Sequence, residues 1–370
     1  MTSKLSKLIE NTIAQNPMNG DSLMEKEIII HKNKVENQYN DIQEREQLSN
    51  LVNTLDISLG NKLNIDRYKK ENKEYFEDLK SMIGFLNNDF KQIVQLFPKT
   101  VTLVLARTGE GKSTLSANLA HTFLKQGKRV LQIVNEERGS DCYNRVTSLI
   151  KKWHYQAHDE FTEEQQDTFN QYISILSQKM NVVDNYDNNG NVTGISSSIE
   201  GIENILKSAV KLQQSGNGYE VIVLDYYQNV SESIKNPKIE TWQAQEKLCK
   251  ILDKYKNLLS APIVVLAQMK AGKEGEDTDY KELIEGRKAI ANVSTTVLAS
   301  KADKENFRTE WICKKSRWSS AVGKSVFTGY KYGKYVQYNK TFTQEIEHKM
   351  QDIETARIIR NSQQKIGERE

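Results

Sequence analysis

The stretch Val101-Thr102-Leu103-Val104-Leu105-Ala106-Arg107-Thr108-Gly109-Glu110-Gly111-Lys112-Ser113-Thr114 constrains the fold more than any other part of this 370-residue chain. An apolar strand runs straight into a turn with two glycines, a lysine and hydroxyl residues, and a helical pattern follows from Leu115 to Gln126. Gly109 and Gly111 let the backbone bend tightly and aim successive N–H groups at phosphate oxygens, where a Cβ would intrude. Lys112 is then placed for the β- and γ-phosphates and Ser113 for Mg2+. The cradle comprises Ala106, Arg107, Thr108, Gly109, Glu110, Gly111, Lys112, Ser113 and Thr114, with alanine at 106 where the G-x-x-x-x-G-K-[ST] pattern usually opens on glycine. The expected ligands are a nucleoside triphosphate and Mg2+, with ATP the expected fuel although the sequence excludes no other nucleotide.

Further apolar runs repeat the strand-helix-strand rhythm of a parallel sheet. Val130 to Val134 reads as a second buried strand ending in Asn135-Glu136-Glu137, Met180 to Asp184 as a short one, Tyr219 to Asp225 as the next, and Pro262 to Gln268 as another. Helices are expected from about Ser198 to Gln214 and from about Trp242 to Leu259. A glycine-containing, charged loop is expected from Lys270 to Tyr280. β-rich pieces at Thr295 to Ala299, Arg308 to Lys314 and Val326 to Tyr338 precede a charged tail. The expected organisation is a polar helical arm over 1–77, an α/β core over 78–340 and a charged helical tail over 341–370. Within the arm, scattered apolar residues between Asp21 and Leu55 suggest one or two helices that need a partner surface.

Lys+Arg 52 against Asp+Glu 49 leaves a net charge of only +3, so a nucleic-acid site has to be a local patch. Cys142, Cys249 and Cys313 are odd in number and lie outside metal-ligand spacing, which fits a reducing compartment. No stretch approaches a membrane span, and the polar start, Met1 to Gly20, has no signal-peptide pattern. A cytoplasmic protein with no membrane partner is expected, in the host cytoplasm for a phage-encoded chain.

A nucleotide hydrolase needs an acid to hold the metal and a base to orient the attacking water. Asp225 ends an aliphatic run, so its carboxylate emerges at the carboxyl edge of the sheet, where ligands bind in open α/β folds. Glu136 or Glu137 suits the role of base. Gln268 ends its strand in the same way and is placed to sense the γ-phosphate by a side-chain hydrogen bond.

Together these residues resemble the RecA-like motor of DnaB-type hexameric replicative helicases over roughly Asp78 to Tyr338. The loop from Ala106 to Ser113 is one of the pieces. Another is Asn135-Glu136-Glu137 with Arg145, similar to the family's strand-end glutamate followed at the same interval by an arginine; that register favours Glu136 as the base. Leu224-Asp225-Tyr226-Tyr227-Gln228 is similar to the family's aspartate-tyrosine-leucine-glutamine signature. Leu266-Ala267-Gln268-Met269, with Glu282-Leu283 and Ala289-Ile290 downstream, resembles a strand-end Ser-Gln pair and the segment before the next strand. In Lys314-Lys315-Ser316-Arg317, Lys315 and Arg317 match a lysine-x-arginine that reaches the neighbouring subunit's γ-phosphate. Trp318-Ser319-Ser320 stand where the family usually turns on glycine and proline.

The resemblance implies a RecA-like P-loop core with a mainly parallel sheet flanked by helices, a small helical N-terminal arm and a charged helical tail. It implies an ATP-hydrolysing ring, a hexamer, that translocates on single-stranded DNA and unwinds the duplex, with a primase or loader as a further partner. Lys270, Lys273, Arg287 and Lys288 fall on stretches that correspond to the family's DNA-contacting loops, where cations and backbone amides suffice. The arm is too short and polar for the family's globular collar, so a reduced arm or a linker helix docking on the adjacent subunit is expected. The alternative is a RecA-like DNA-binding or regulatory ATPase that does not unwind.

Overall fold

The computed structural model describes residues 65–80, 82–107, 111–153, 161–230, 241–270, 281, 284, 288–303, 306, 308–331 and 334–339. The chain divides into two compact units, Met1–Glu74 and Tyr75–Glu370. In the first, Lys70 and Glu74 form an exposed ion pair at 3.9 Å on helix α1 (Ile65–Lys80). The helices expected between Asp21 and Leu55 and the tail expected from Thr341 to Glu370 lie outside the described residues.

In the second unit the elements follow as β1 (Val101–Ala106), α2 (Lys112–Lys125), β2 (Val130–Val134), α3 (Gly139–Lys151), α4 (Glu163–Leu176), β3 (Met180–Val183), α5 (Ile199–Gln214), β4 (Val221–Asp225), α6 (Thr241–Leu258), β5 (Ile263–Gln268), α7 (Ala289–Val293), β6 (Thr296–Asp303), β7 (Arg308–Ser316), β8 (Ser325–Lys331) and β9 (Lys334–Gln337). The β-rich piece expected over Val326 to Tyr338 is thus two strands. All nine described strands form one sheet in the order β3-β2-β4-β5-β1-β6-β7-β8-β9. From β3 to β6 the pairing is parallel, and β7, β8 and β9 add on antiparallel. The fold is α/β with a mainly parallel central sheet flanked by helices.

The central strands read as near-continuous apolar runs because helices cover both faces of the sheet. Their side chains alternate between two cores. Val104, Val134, Val223 and Leu266 join Leu115, Leu119 and Phe123 of α2 on one face. Leu103, Leu105, Ile133, Leu224 and Val265 join Ile202 and Leu206 of α5 and Leu248 and Leu252 of α6 on the other. By the same alternation Asp225, one residue beyond Leu224, turns to the α2 face. Gln132, between Leu131 and Ile133, does so too.

The antiparallel extension is anchored by Trp311, which is fully buried. Its ring meets Phe90 edge-on at 5.6 Å and Tyr335 at 5.3 Å, and its indole N–H donates to Thr328 Oγ1 at 2.9 Å. The three cysteines are free and buried. No described helix is long and apolar enough to cross a membrane.

Candidate active site

The carboxyl ends of β1, β2, β4 and β5 assemble the site. Ala106 ends β1 opposite Gln268 of β5, and Val134 ends β2 opposite Asp225 of β4. Strand β5 stands between the strand that leads into the loop and the strand that carries Asp225.

The loop closes onto α2 through Gly111, whose φ of 82° lies in the left-handed region that favours glycine. Gly111 caps α2 with no side-chain hydrogen bond, and the first turn, Lys112-Ser113-Thr114, carries no acid. The other long helices with described starts are capped: Thr162 caps α4, Ser198 caps α5, and Asp184 Oδ2 accepts from Gly139 N at 2.5 Å at the start of α3. The open N–H groups and positive dipole end of α2 therefore suit an anion. Lys112 Nζ lies 5.3 Å from the centre of the Tyr226 ring, a cation-π contact at the loop. Ala106, Arg107 and Gly111 to Thr114 fall together here, whereas Thr108, Gly109 and Glu110 lie outside the described residues.

Asp225 is only 8% exposed. Burial, and then the nearby Glu137 carboxylate, lift its pKa to about 7, against the opposing pull of a hydrogen bond from Ser116 and the charge of Lys112. A carboxylate kept from water beside other acids is best relieved by a cation in front of it. Among the described residues no three acid, histidine or cysteine side chains converge on one point. One carboxylate, the Ser113 hydroxyl and substrate phosphates form a donor set that suits Mg2+, which is commonly held through few protein ligands.

Two side-chain amides lock the edge. Asn135 donates from Nδ2 to Tyr226 O at 2.8 Å and accepts from Tyr226 N at 3.1 Å. Gln228 accepts from Gln268 N at 2.9 Å and donates to Gln268 O at 3.0 Å. Arg145 reaches Glu137 with Nη2 at 2.8 Å and Nε at 3.3 Å, while Glu136 is exposed. The gripping roles of Asn135 and Gln228 were missed in the sequence, although both residues stand within the quoted motifs.

Lys315 and Arg317 lie elsewhere. Ser316, at the end of β7, pairs with Thr296 at the start of β6, and Arg317 N donates to Thr295 O at 3.0 Å. Thr295 N in turn donates to Val101 O at 2.8 Å, at the start of β1. Arg317 thus sits at the amino edge of the parallel strands, opposite the loop. Along β1 the separation is roughly 17 Å at about 3.3 Å per residue. Lys315 Nζ donates to Ala291 O and Ser294 O, both at 2.6 Å, and Arg317 Nη2 donates to Asn292 O at 3.1 Å. Burial, with Arg317 nearby, lowers the Lys315 pKa to about 8. Of the candidate DNA contacts, Lys270 follows β5 and Lys288 precedes α7, both half-buried, while Lys273 and Arg287 lie outside the described residues.

A phosphate loop, a buried acid two strands away and strand-end amides around them define a P-loop ATPase. The family model for the DnaB-like helicase C terminal domain matches residues 84–283, more than half of the chain. The chain belongs to that family, and its core is an ATP-hydrolysing helicase domain with a RecA-like fold. Solved structures share the fold. One, described as an ATPase domain, superposes with a TM-score of 0.56 at 16% identity, over 74% of this chain and 99% of that one. A DnaB-like replicative helicase, described with its interactions with primase, superposes with a TM-score of 0.56 at 15% identity, over 85% of this chain and 79% of that one. No curated protein matches the chain in sequence.

Proposed function

We propose that this chain forms a ring, a hexamer, that hydrolyses ATP to translocate on single-stranded DNA and unwind the duplex ahead. The observation that carries the reading is the placement of Arg317 at the sheet edge opposite its own loop. A guanidinium there is too far to serve its own nucleotide, but a second copy packed edge to edge would receive it. A planar guanidinium supplied in trans neutralises charge developing on the phosphoryl group and couples hydrolysis to subunit movement.

Lys112 and the open first turn of α2 would bind the phosphates, and Ser113 and Asp225 would hold Mg2+. That ion, when bound, neutralises charge on the phosphate oxygens. Glu136 would accept the proton of the attacking water, and Gln268, fixed by Gln228, would report the phosphate state. Lys315 is already committed to two carbonyls of its own chain. The trans contact is therefore assigned to Arg317, with Lys315 holding the base of the hairpin.

Lys270, Lys273, Arg287 and Lys288 are proposed to touch the DNA backbone without sequence preference. A primase or loader is proposed as partner, since one helicase of the same fold is described with primase. The 1–77 arm, 78–340 motor and 341–370 tail remain the proposed organisation.

The test is ATP hydrolysis by the full chain with and without single-stranded DNA, beside strand displacement from a forked duplex. Turnover raised by DNA, and displacement that requires ATP, are expected. Turnover indifferent to DNA, with no displacement, would overturn the reading in favour of a regulatory RecA-like ATPase.

A further inference from the structure

The carbonyl of Asn135 belongs to the peptide bond that leads into Glu136, and two asparagines from other elements converge on it. Asn185, just beyond β3, donates to it from Nδ2 at 3.2 Å. Asn229, just beyond β4, donates from Nδ2 at 2.9 Å. The orientation of the Asn185 amide follows from chemistry. Its Oδ1 accepts from the backbone N–H groups of Ser196 at 3.0 Å and Ser197 at 3.1 Å, so its NH2 end has to face the Asn135 carbonyl, which only accepts.

Asn135 is buried, and one donor is enough to satisfy a buried carbonyl. Two donors occupy both lone pairs. They also come from either side, because β2 lies between β3 and β4 in the sheet, and so they fix the direction of the carbonyl. The peptide is planar, which carries that direction into the backbone of Glu136. The far side of Glu136 is held as well. Glu137 pairs with Arg145, the Arg138 guanidinium lies 5.3 Å from the centre of the Tyr186 ring, and Gly139 N donates to Asp184 Oδ2. Glu136 is thus an exposed side chain between two anchored stretches. A general base has to lie within hydrogen-bond reach of the water it activates, and a displacement of about 1 Å costs on the order of 10²-fold in rate.

We infer that Asn185 and Asn229 are positioning residues that aim Glu136 at the attacking water through the Asn135 carbonyl. This rests on the assignment of Glu136 as the base.

The test is single-turnover ATP hydrolysis by the full chain, beside binding of a fluorescent, non-hydrolysable ATP analogue. Asn229→Ala removes one donor. Asn185→Asp removes the other while keeping an acceptor for Ser196 and Ser197. Each is expected to slow hydrolysis about 10-fold, with nucleotide affinity as in the wild type. In a Glu136→Gln chain the same changes should alter the remaining rate by about 2-fold or less, because the group they aim is gone. Wild-type rates in both single variants, an undiminished loss in the Glu136→Gln chain, or a loss of nucleotide affinity that matches the loss of rate would make the two residues structural and the inference wrong. If Glu136→Gln itself hydrolyses ATP at the wild-type rate, the base assignment is wrong and the inference falls with it.

Discussion

Arg145 holds Glu137 side-on, through Nη2 at 2.8 Å and Nε at 3.3 Å, so the second of the two strand-end glutamates is tied to α3 while Glu136 stays exposed beside it. The pair is three-quarters buried and planar on both sides, which favours a fixed geometry. Glu137 is therefore suited to shaping the field around Asp225, and Glu136 is the one available to water.

Glu136→Gln is accordingly expected to lower the rate of hydrolysis by about 10²- to 10⁴-fold while nucleotide binding persists. Glu137→Gln, which breaks the Arg145 ion pair but spares Glu136, should lose much less rate and about 1–3 kcal/mol of stability. Single-turnover hydrolysis of both variants separates the roles. A larger loss in Glu137→Gln would move the base to that residue.

The grip of Gln228 on Gln268 gives a second expectation. Gln228→Leu strips the partners from a backbone N–H and C=O at the end of β5, which costs about 1–3 kcal/mol for each group left unsatisfied. Urea unfolding should show that loss. Steady-state kinetics should show a fall in kcat with little change in KM, because Gln268 loses its orientation while the phosphate cradle remains.

His121, on the loop-bearing helix α2, is 7% exposed. Burial, followed by the charges of Lys334 and Lys125, lowers its pKa to about 4. The unfolded chain takes up this proton near 6.5 and the folded chain only near 4, so proton uptake favours unfolding between those values. The contribution is whole above pH 6.5, declines below it and is lost as the pH falls through 4, with a ceiling of about 3 kcal/mol. Unfolding midpoints from pH 7 to pH 4 should fall in the wild type, and His121→Leu should flatten that part of the profile.

Lys315 and Arg317 should separate in a stability assay. Lys315→Met frees two carbonyls beside α7 and is expected to destabilise the chain by about 1–3 kcal/mol. Arg317→Ala, at an exposed position, should change stability by about 0.5 kcal/mol or less. Thermal melts without nucleotide test this before any activity is measured.

Much of the site is local in sequence and readable there. Lys112, Ser113, Asp225 and Gln268 each end or follow an apolar run, and a parallel sheet collects such ends on one edge. The partner of Arg145 was not readable, because its choice between Glu136 and Glu137 depends on how the chain turns into α3 at Gly139. Gln132 was read only as part of a buried strand, and its bonds to Ser116 depend on the helix packed above it. The placement of Arg317 required the antiparallel course of β6 and β7, a pairing that the residues of the Lys315-Ser316-Arg317 stretch do not encode by themselves. The attachment of Lys315 to Ala291 and Ser294 likewise arises only when α7 and β7 come together.

The most direct test of the ring account mixes two inactive variants of the full chain, Lys112→Ala and Arg317→Ala, in equal amounts, with ring formation checked by mass. Each alone is expected to lack DNA-stimulated hydrolysis. In the mixture, an Arg317→Ala subunit supplies an intact loop and a Lys112→Ala neighbour supplies an intact arginine. Random assembly should then complete about a quarter of the sites and restore a measurable part of the wild-type rate. Mixed rings that form but recover no hydrolysis, or an Arg317→Ala protein that hydrolyses ATP normally by itself, would contradict the account.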